Sequence, residues 1–91
     1  MKHNSYFDGN VQSLGLKTAD GPATIGVISP GRYTFTTGTE ERMVVITGTL
    51  RAKLPGQDWK PYARNESFII PGQSSFDVEA ADDVGYVCYY K

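Results

Sequence analysis

Few side chains in this chain of 91 residues could do chemistry, and their placement narrows what that chemistry could be. The only cysteine is Cys88 and the only histidine is His3. A cysteine nucleophile needs a base beside it, usually a histidine. His3 belongs to an N-terminus expected to be mobile, so Cys88 reads as a buried, inert thiol between Tyr86 and Tyr90 on one strand face. The arginines are Arg32, Arg42, Arg51 and Arg64. Strand alternation turns Arg32 and Arg42 outward. Arg51 shares a solvent face with Lys53, opposite Leu50, Ala52 and Leu54, and Arg64 falls in a loop. No glycine-rich phosphate loop is present, because Gly31 and Gly72 each stand beside a proline in a turn. Tyr33 and Phe35 alternate on one face, as plain core or as rings for a ligand to stack on. A buried Tyr33 hydroxyl needs a partner, and a ligand could be it.

These groups must be positioned by strands. Val, Ile, Thr, Tyr, Phe and Trp supply 31 residues, against ten Leu and Ala, and such residues suit a pleated, half-buried surface. Ten Gly and five Pro interrupt the chain too often for a long helix. Alternation and turn signals predict strands over 11–16, 24–28, 33–37, 42–47, 50–54, 67–70, 75–79 and 85–90. The breaks are Asp20-Gly21-Pro22, Ser29-Pro30-Gly31, Gly48, Pro55-Gly56-Gln57-Asp58 and Pro71-Gly72. Trp59 and Tyr62 read as a packing or subunit contact, and Asp82-Asp83 as a solvated turn. Short, evenly spaced strands point to an all-β sandwich or barrel.

Length and charge remove several classes of function. The chain is one domain, residues 1–91. A formal charge of −1 lacks the basic footprint of a nucleic-acid binder. No apolar run reaches the 18 residues or so of a transmembrane helix, so no membrane partner is expected. The N-terminus lacks the apolar stretch of a secretory signal, and with a single cysteine the expectation is a cytoplasmic protein. A core this small leaves sheet edges and apolar rings for a second copy to cover, so a homodimer is expected.

The order of these turns resembles a single-domain cupin, a small jelly-roll barrel, over roughly residues 30–80. Pro30-Gly31 opens the first cupin-like segment, and Glu41 stands seven residues before Gly48. Phe68-Ile69-Ile70 leads into Pro71-Gly72, the opening of the second. The resemblance implies metal-binding histidines at positions 35, 37 and 76, which here are Phe35, Thr37 and Phe76. One glutamate cannot hold a transition metal, which needs three or four ligands. No metal and no cofactor are expected.

The strings Tyr33-Thr34-Phe35-Thr36-Thr37, Met43 to Gly48, Ile70-Pro71-Gly72 with Phe76, and Tyr86-Val87-Cys88-Tyr89-Tyr90 resemble a narrower group. These are the broad-specificity pyrimidine/purine nucleoside phosphorylases, and the likeness runs from Tyr6-Phe7 to the C-terminus. It implies that a nucleoside and inorganic phosphate become a free base and a pentose 1-phosphate. That chemistry requires holding phosphate close, gripping the ribose hydroxyls and donating a hydrogen bond to the base. On the cupin mapping, Glu41 shares the pocket side with Phe35, Thr37 and Phe76 and is the candidate catalytic carboxylate; otherwise it is a solvated group beside Glu40. Tyr33, Phe35 and Phe76 are candidate base-stacking rings, and stacking tolerates any base. Thr37, Ser74 and backbone N–H groups at a turn, or an arginine of a partner subunit, are candidates for phosphate.

Other readings remain open because one barrel hosts many functions. A non-catalytic module could bind a nucleoside, a sugar or another small metabolite in the same pocket. A metal-dependent enzyme is opposed by Phe35, Thr37 and Phe76, and a structural protein without ligand is the fourth possibility.

Overall fold

A computed structural model describes all 91 residues as ten strands and no helix. No helix is therefore long and apolar enough to cross a membrane. The strands are β1 (His3–Tyr6), β2 (Val11–Thr18), β3 (Gly21–Ile28), β4 (Gly31–Thr36) and β5 (Glu41–Thr47). They continue as β6 (Leu50–Lys53), β7 (Lys60–Tyr62), β8 (Ser67–Ile70), β9 (Ser75–Ala80) and β10 (Val84–Tyr90). Six form one antiparallel sheet in the order β1-β2-β3-β10-β5-β8, and four form a second in the order β4-β9-β6-β7. No ladder joins the sheets, so the jelly roll is an open, cupin-type sandwich and not a closed barrel.

Alternation builds the core. Val11, Ile28, Val45, Ile70 and Val84 point inward from the larger sheet, and Leu50, Ala52 and Val78 meet them from the smaller one. Each large aliphatic side chain buried in this way contributes about 1.5–3 kcal/mol. The eight strands predicted from sequence are all present, with ends displaced by up to three residues.

Two strands were missing from the sequence reading. The first, β1, reads His-Asn-Ser-Tyr and has no apolar alternation; it exists because its backbone pairs with β2 from His3↔Leu14 to Tyr6↔Val11. The expectation of a mobile His3 is therefore corrected: its ring Nε2 lies 3.0 Å from Gln12 Oε1. The second, β7, contains Pro61, which cannot donate to a ladder and is tolerated at an edge, where β7 lies. The Asp20-Gly21-Pro22 break is also tighter than expected. The β2–β3 ladder runs on to Thr18↔Gly21, and Thr18 Oγ1 closes the turn by donating to Gly21 O at 2.8 Å.

Candidate active site

A cavity of about 360 Å³ opens between the two sheets, within the range of about 300–1,000 Å³ usual for small-molecule sites. The larger sheet supplies Ser13, Glu41, Met43, Tyr86, Cys88 and Tyr90, and the smaller one Phe35 and Phe76. The turn after β1 closes one side with Phe7. The aromatic wall is continuous. Phe35 stacks on Phe76 at 5.6 Å and 29° and meets the edge of Phe7 at 5.6 Å. Phe7 holds this position in the left-handed region, at φ 54°, where a bulky residue is strained. Its contacts with Tyr33, at 5.0 Å, and with Phe35 hold it there.

Glu41 is the only carboxylate on this cavity, and no lysine or arginine lines it. It begins β5, opposite Ile70 on one side and Tyr90 on the other. From its diagonal position on β10, the Cys88 thiol donates to Glu41 Oε1 at 3.3 Å. Burial raises the Glu41 pKa above 4.5, and this hydrogen bond offsets part of that rise. Burial, with Glu41 beside it, pushes the Cys88 thiol far up and keeps it a donor. The Tyr86 hydroxyl is likewise pushed up to about 12, chiefly by desolvation. Tyr90 OH lies 3.0 Å from Thr24 Oγ1.

The structure brings Glu41, Phe35 and Phe76 to one cavity and leaves Tyr33, Thr37 and Ser74 off its wall. Tyr33 spends its hydroxyl on the carbonyls of Ser29 and Pro30, at 2.9 and 3.1 Å, so it needs no ligand as partner. Thr37 is buried as a clip between two loops. Its Oγ1 donates to Pro71 O at 2.7 Å and accepts from the Ser74 N–H at 3.0 Å. The Thr37 N–H in turn donates to Ser74 O at 2.9 Å. The placement of Thr37 on the pocket side is thus corrected: alternation aimed it inward, and it ended in this clip instead.

The arginines of the strands face outward as alternation required. Arg32 and Arg51 share Glu79 and flank Trp59, and Arg42 lies over Tyr89. Tyr62 is buried against Phe68 at 4.5 Å. Sequence reasoning missed Phe7, Ser13, Met43 and the Cys88–Glu41 contact. Alternation had put Tyr86, Cys88 and Tyr90 on one face, but which sheet face lines a cavity depends on what packs opposite.

A cupin metal does not fit these residues. Of the four mapped positions, Phe35 and Phe76 have no donor atom and the Thr37 hydroxyl is committed. No three His, Cys, Asp or Glu side chains converge anywhere in the chain.

The sequence matches the family described as pyrimidine/purine nucleoside phosphorylase over residues 1–90. A protein of that name from Tolumonas auensis is 47% identical over 92 residues, covering 100% of this chain and 99% of its own. One from Vibrio cholerae is 45% identical, covering 99% and 96%. A crystal structure of a protein of unknown function from Vibrio parahaemolyticus is 44% identical with a TM-score of 0.94, covering 99% of this chain and 97% of its own. An ethanolamine utilization protein Q from Salmonella typhimurium shares the fold alone, at 18% identity and a TM-score of 0.76 over 94% of this chain and 75% of its own. With its full-length match, its cupin-type sandwich and a carboxylate among stacked rings, the chain belongs to the pyrimidine/purine nucleoside phosphorylase family.

Proposed function

We propose that the chain is a metal-independent nucleoside phosphorylase acting on purine and pyrimidine nucleosides in the cytoplasm. The observation that carries this reading is a single half-buried carboxylate, Glu41, set on a cavity walled by Phe7, Phe35 and Phe76. In phosphorolysis the bond from C1′ to the base nitrogen breaks, and the base leaves with the electron pair. A phosphate oxygen forms the new bond to C1′, and the proton that the hydrogen phosphate gives up goes to the base nitrogen. Positive charge builds on the sugar as the base departs. An ionised Glu41 offsets that charge and accepts hydrogen bonds from the ribose hydroxyls. The rings hold the base by stacking, worth about 1–3 kcal/mol and indifferent to which base it is.

The test is to incubate chelator-treated protein with uridine, and separately with adenosine, with and without inorganic phosphate, and to separate the products by chromatography. Free base appearing only with phosphate is expected. Base without phosphate would make the reaction hydrolysis, and no base at all would leave a binding module.

The working unit we propose is a homodimer joined through the outer face of the larger sheet. Leu14, Leu16, Ile25, Val27, Ile46 and Ile69 are all exposed there, on β2, β3, β5 and β8. Cross-strand register makes the patch continuous, with Leu14 opposite Ile25 and Ile25 opposite Val87. A patch of this kind marks an interaction surface, and a two-fold axis lets one flat apolar face cover its own copy. Wild-type protein is expected to sediment as a dimer and Val27→Lys as a monomer. A monomeric wild type would remove this interface.

A further inference from the structure

The cavity that holds Glu41 contains no cation, yet the reaction proposed above needs a phosphate dianion beside C1′. A second concavity, of about 870 Å³, adjoins the first, and Tyr6 and Tyr90 line both. Its charged lining is Lys2 and Lys17, with no carboxylate. Neither lysine enters an ion pair, although the chain carries ten acidic residues.

Register explains why these lysines face the same way as Glu41. Ser13, Gly15 and Lys17 alternate onto one face of β2, and Ser13 lines the Glu41 cavity. Lys17 pairs with Pro22 on β3, and Glu41 pairs with Tyr90 on β10, which lies between β3 and β5. Three strand spacings, about 14 Å, separate the backbones of Glu41 and Lys17, and each side chain lines one of the two adjoining concavities. Lys2 is held beside them because the Gly15 N–H donates to Lys2 O at 2.7 Å.

We propose that Lys17 and Lys2 form the phosphate subsite of this chain, delivering inorganic phosphate past Tyr6 and Tyr90 to a nucleoside seated at Glu41. The inference rests on the phosphorolysis reading for its role and on geometry for its place. Lysine serves phosphate as a mobile point charge, with strong charge-assisted hydrogen bonds. The base lies toward the phenyl rings, the phosphate enters from the lysine side, and Glu41 stands between them at the sugar. The Tyr90 hydroxyl, whose pKa burial raises, remains protonated at the boundary and able to donate to an anion.

The deciding measurement is the phosphate dependence of uridine cleavage in wild type, Lys17→Gln and the Lys2→Gln/Lys17→Gln double variant. Both lysines are exposed, so thermal unfolding is expected to change little. The double variant is expected to raise the KM for phosphate about tenfold or more and to leave the KM for uridine within about twofold. Lys17→Arg in the Lys2→Gln background is expected to recover most of the loss. An unchanged phosphate KM in the double variant would overturn the subsite. A second arm needs no turnover: titration of inorganic phosphate followed by calorimetry. Phosphate bound by wild type and lost in the double variant supports the subsite even where no base is released, in which case the phosphorolysis reading alone falls. Equal binding by both proteins, or no binding by wild type, removes the subsite whatever the activity.

Discussion

Glu41→Gln is expected to lower the kcat for uridine phosphorolysis by about 100-fold or more while leaving the folded state intact. Removing one preorganised electrostatic contact to a transition state costs about 10²–10³ in rate. Glutamine keeps the shape and can still accept from the Cys88 thiol, but it cannot offset positive charge at C1′. Stability follows the opposite logic. Burial holds the folded-state pKa of Glu41 above 4.5. Below the unfolded value both states are protonated, and the group costs nothing. As pH rises through the folded value, the folded chain must ionise a half-buried carboxyl, and stability falls. A neutral glutamine escapes that cost, so at pH 7 the variant should melt at or above the wild-type temperature. The same shift places the acidic limb of the wild-type kcat/KM profile above pH 4.5. Cys88→Ala removes the one hydrogen bond that lowers this pKa, so the limb should move to still higher pH. Steady-state kinetics across pH, with melting curves for each variant, would check all of this. Full activity in Glu41→Gln would take the residue out of the mechanism.

Gly26→Ala is expected to be strongly destabilising, lowering the melting temperature by about 10–20 °C. Gly26 faces inward on β3, opposite Ser13 on β2 and Tyr86 on β10. A Cβ there would lie 2.6 Å from the Tyr86 hydroxyl, 2.7 Å from Tyr86 Cζ and 2.7 Å from the Gln12 carbonyl oxygen. The tyrosine could swing away only by leaving the cavity wall. The carbonyl belongs to the backbone of β2 and has no such freedom. Overpacking of this kind costs about 1–3 kcal/mol, and each kcal/mol lowers the melting temperature of a domain this size by about 4–8 °C. Tyr86→Phe in the same background should recover only part of the loss, because Cζ and the Gln12 carbonyl remain. A Gly26→Ala protein melting within about 2 °C of wild type would show that β3 shifts freely. Differential scanning calorimetry gives the answer directly.

Strands were legible wherever a side-chain pattern created them. Tyr33–Thr37 and Ser75–Glu79 alternate visibly, Arg42–Thr47 is an apolar run ended by Gly48, and Tyr33, Met43, Val45, Phe76 and Val78 from these strands joined the core. Strand β1 was not legible, because His3–Tyr6 carries no such pattern and takes its form from the free edge of β2. That omission had a cost at the site, since the turn after β1 is what brings Phe7 onto the cavity. Motif spacing singled out Glu41, Phe35 and Phe76, and these three do meet on one cavity. The same spacing singled out Thr37, which instead holds the phosphate candidate Ser74 across two loops.

The amino-acid order was sufficient for the all-β class, for the outward direction of Arg32, Arg42 and Arg51, and for the poverty of metal donors at the cupin positions. Each follows from local chemistry: strand period, turn residues and ligand type. Three things required the folded chain. They are the partner of each hydroxyl, the sheet face that borders a void, and the neighbour of Glu41. Cys88 lies far from Glu41 in sequence and touches it only because β10 pairs with β5 in one register. A shift of one residue would turn every side chain of β10 to the opposite face, and local pattern alone does not exclude it. Long-range pairing and the packing of two sheets choose among such registers, and they assemble the carboxylate, the thiol and the rings on one cavity.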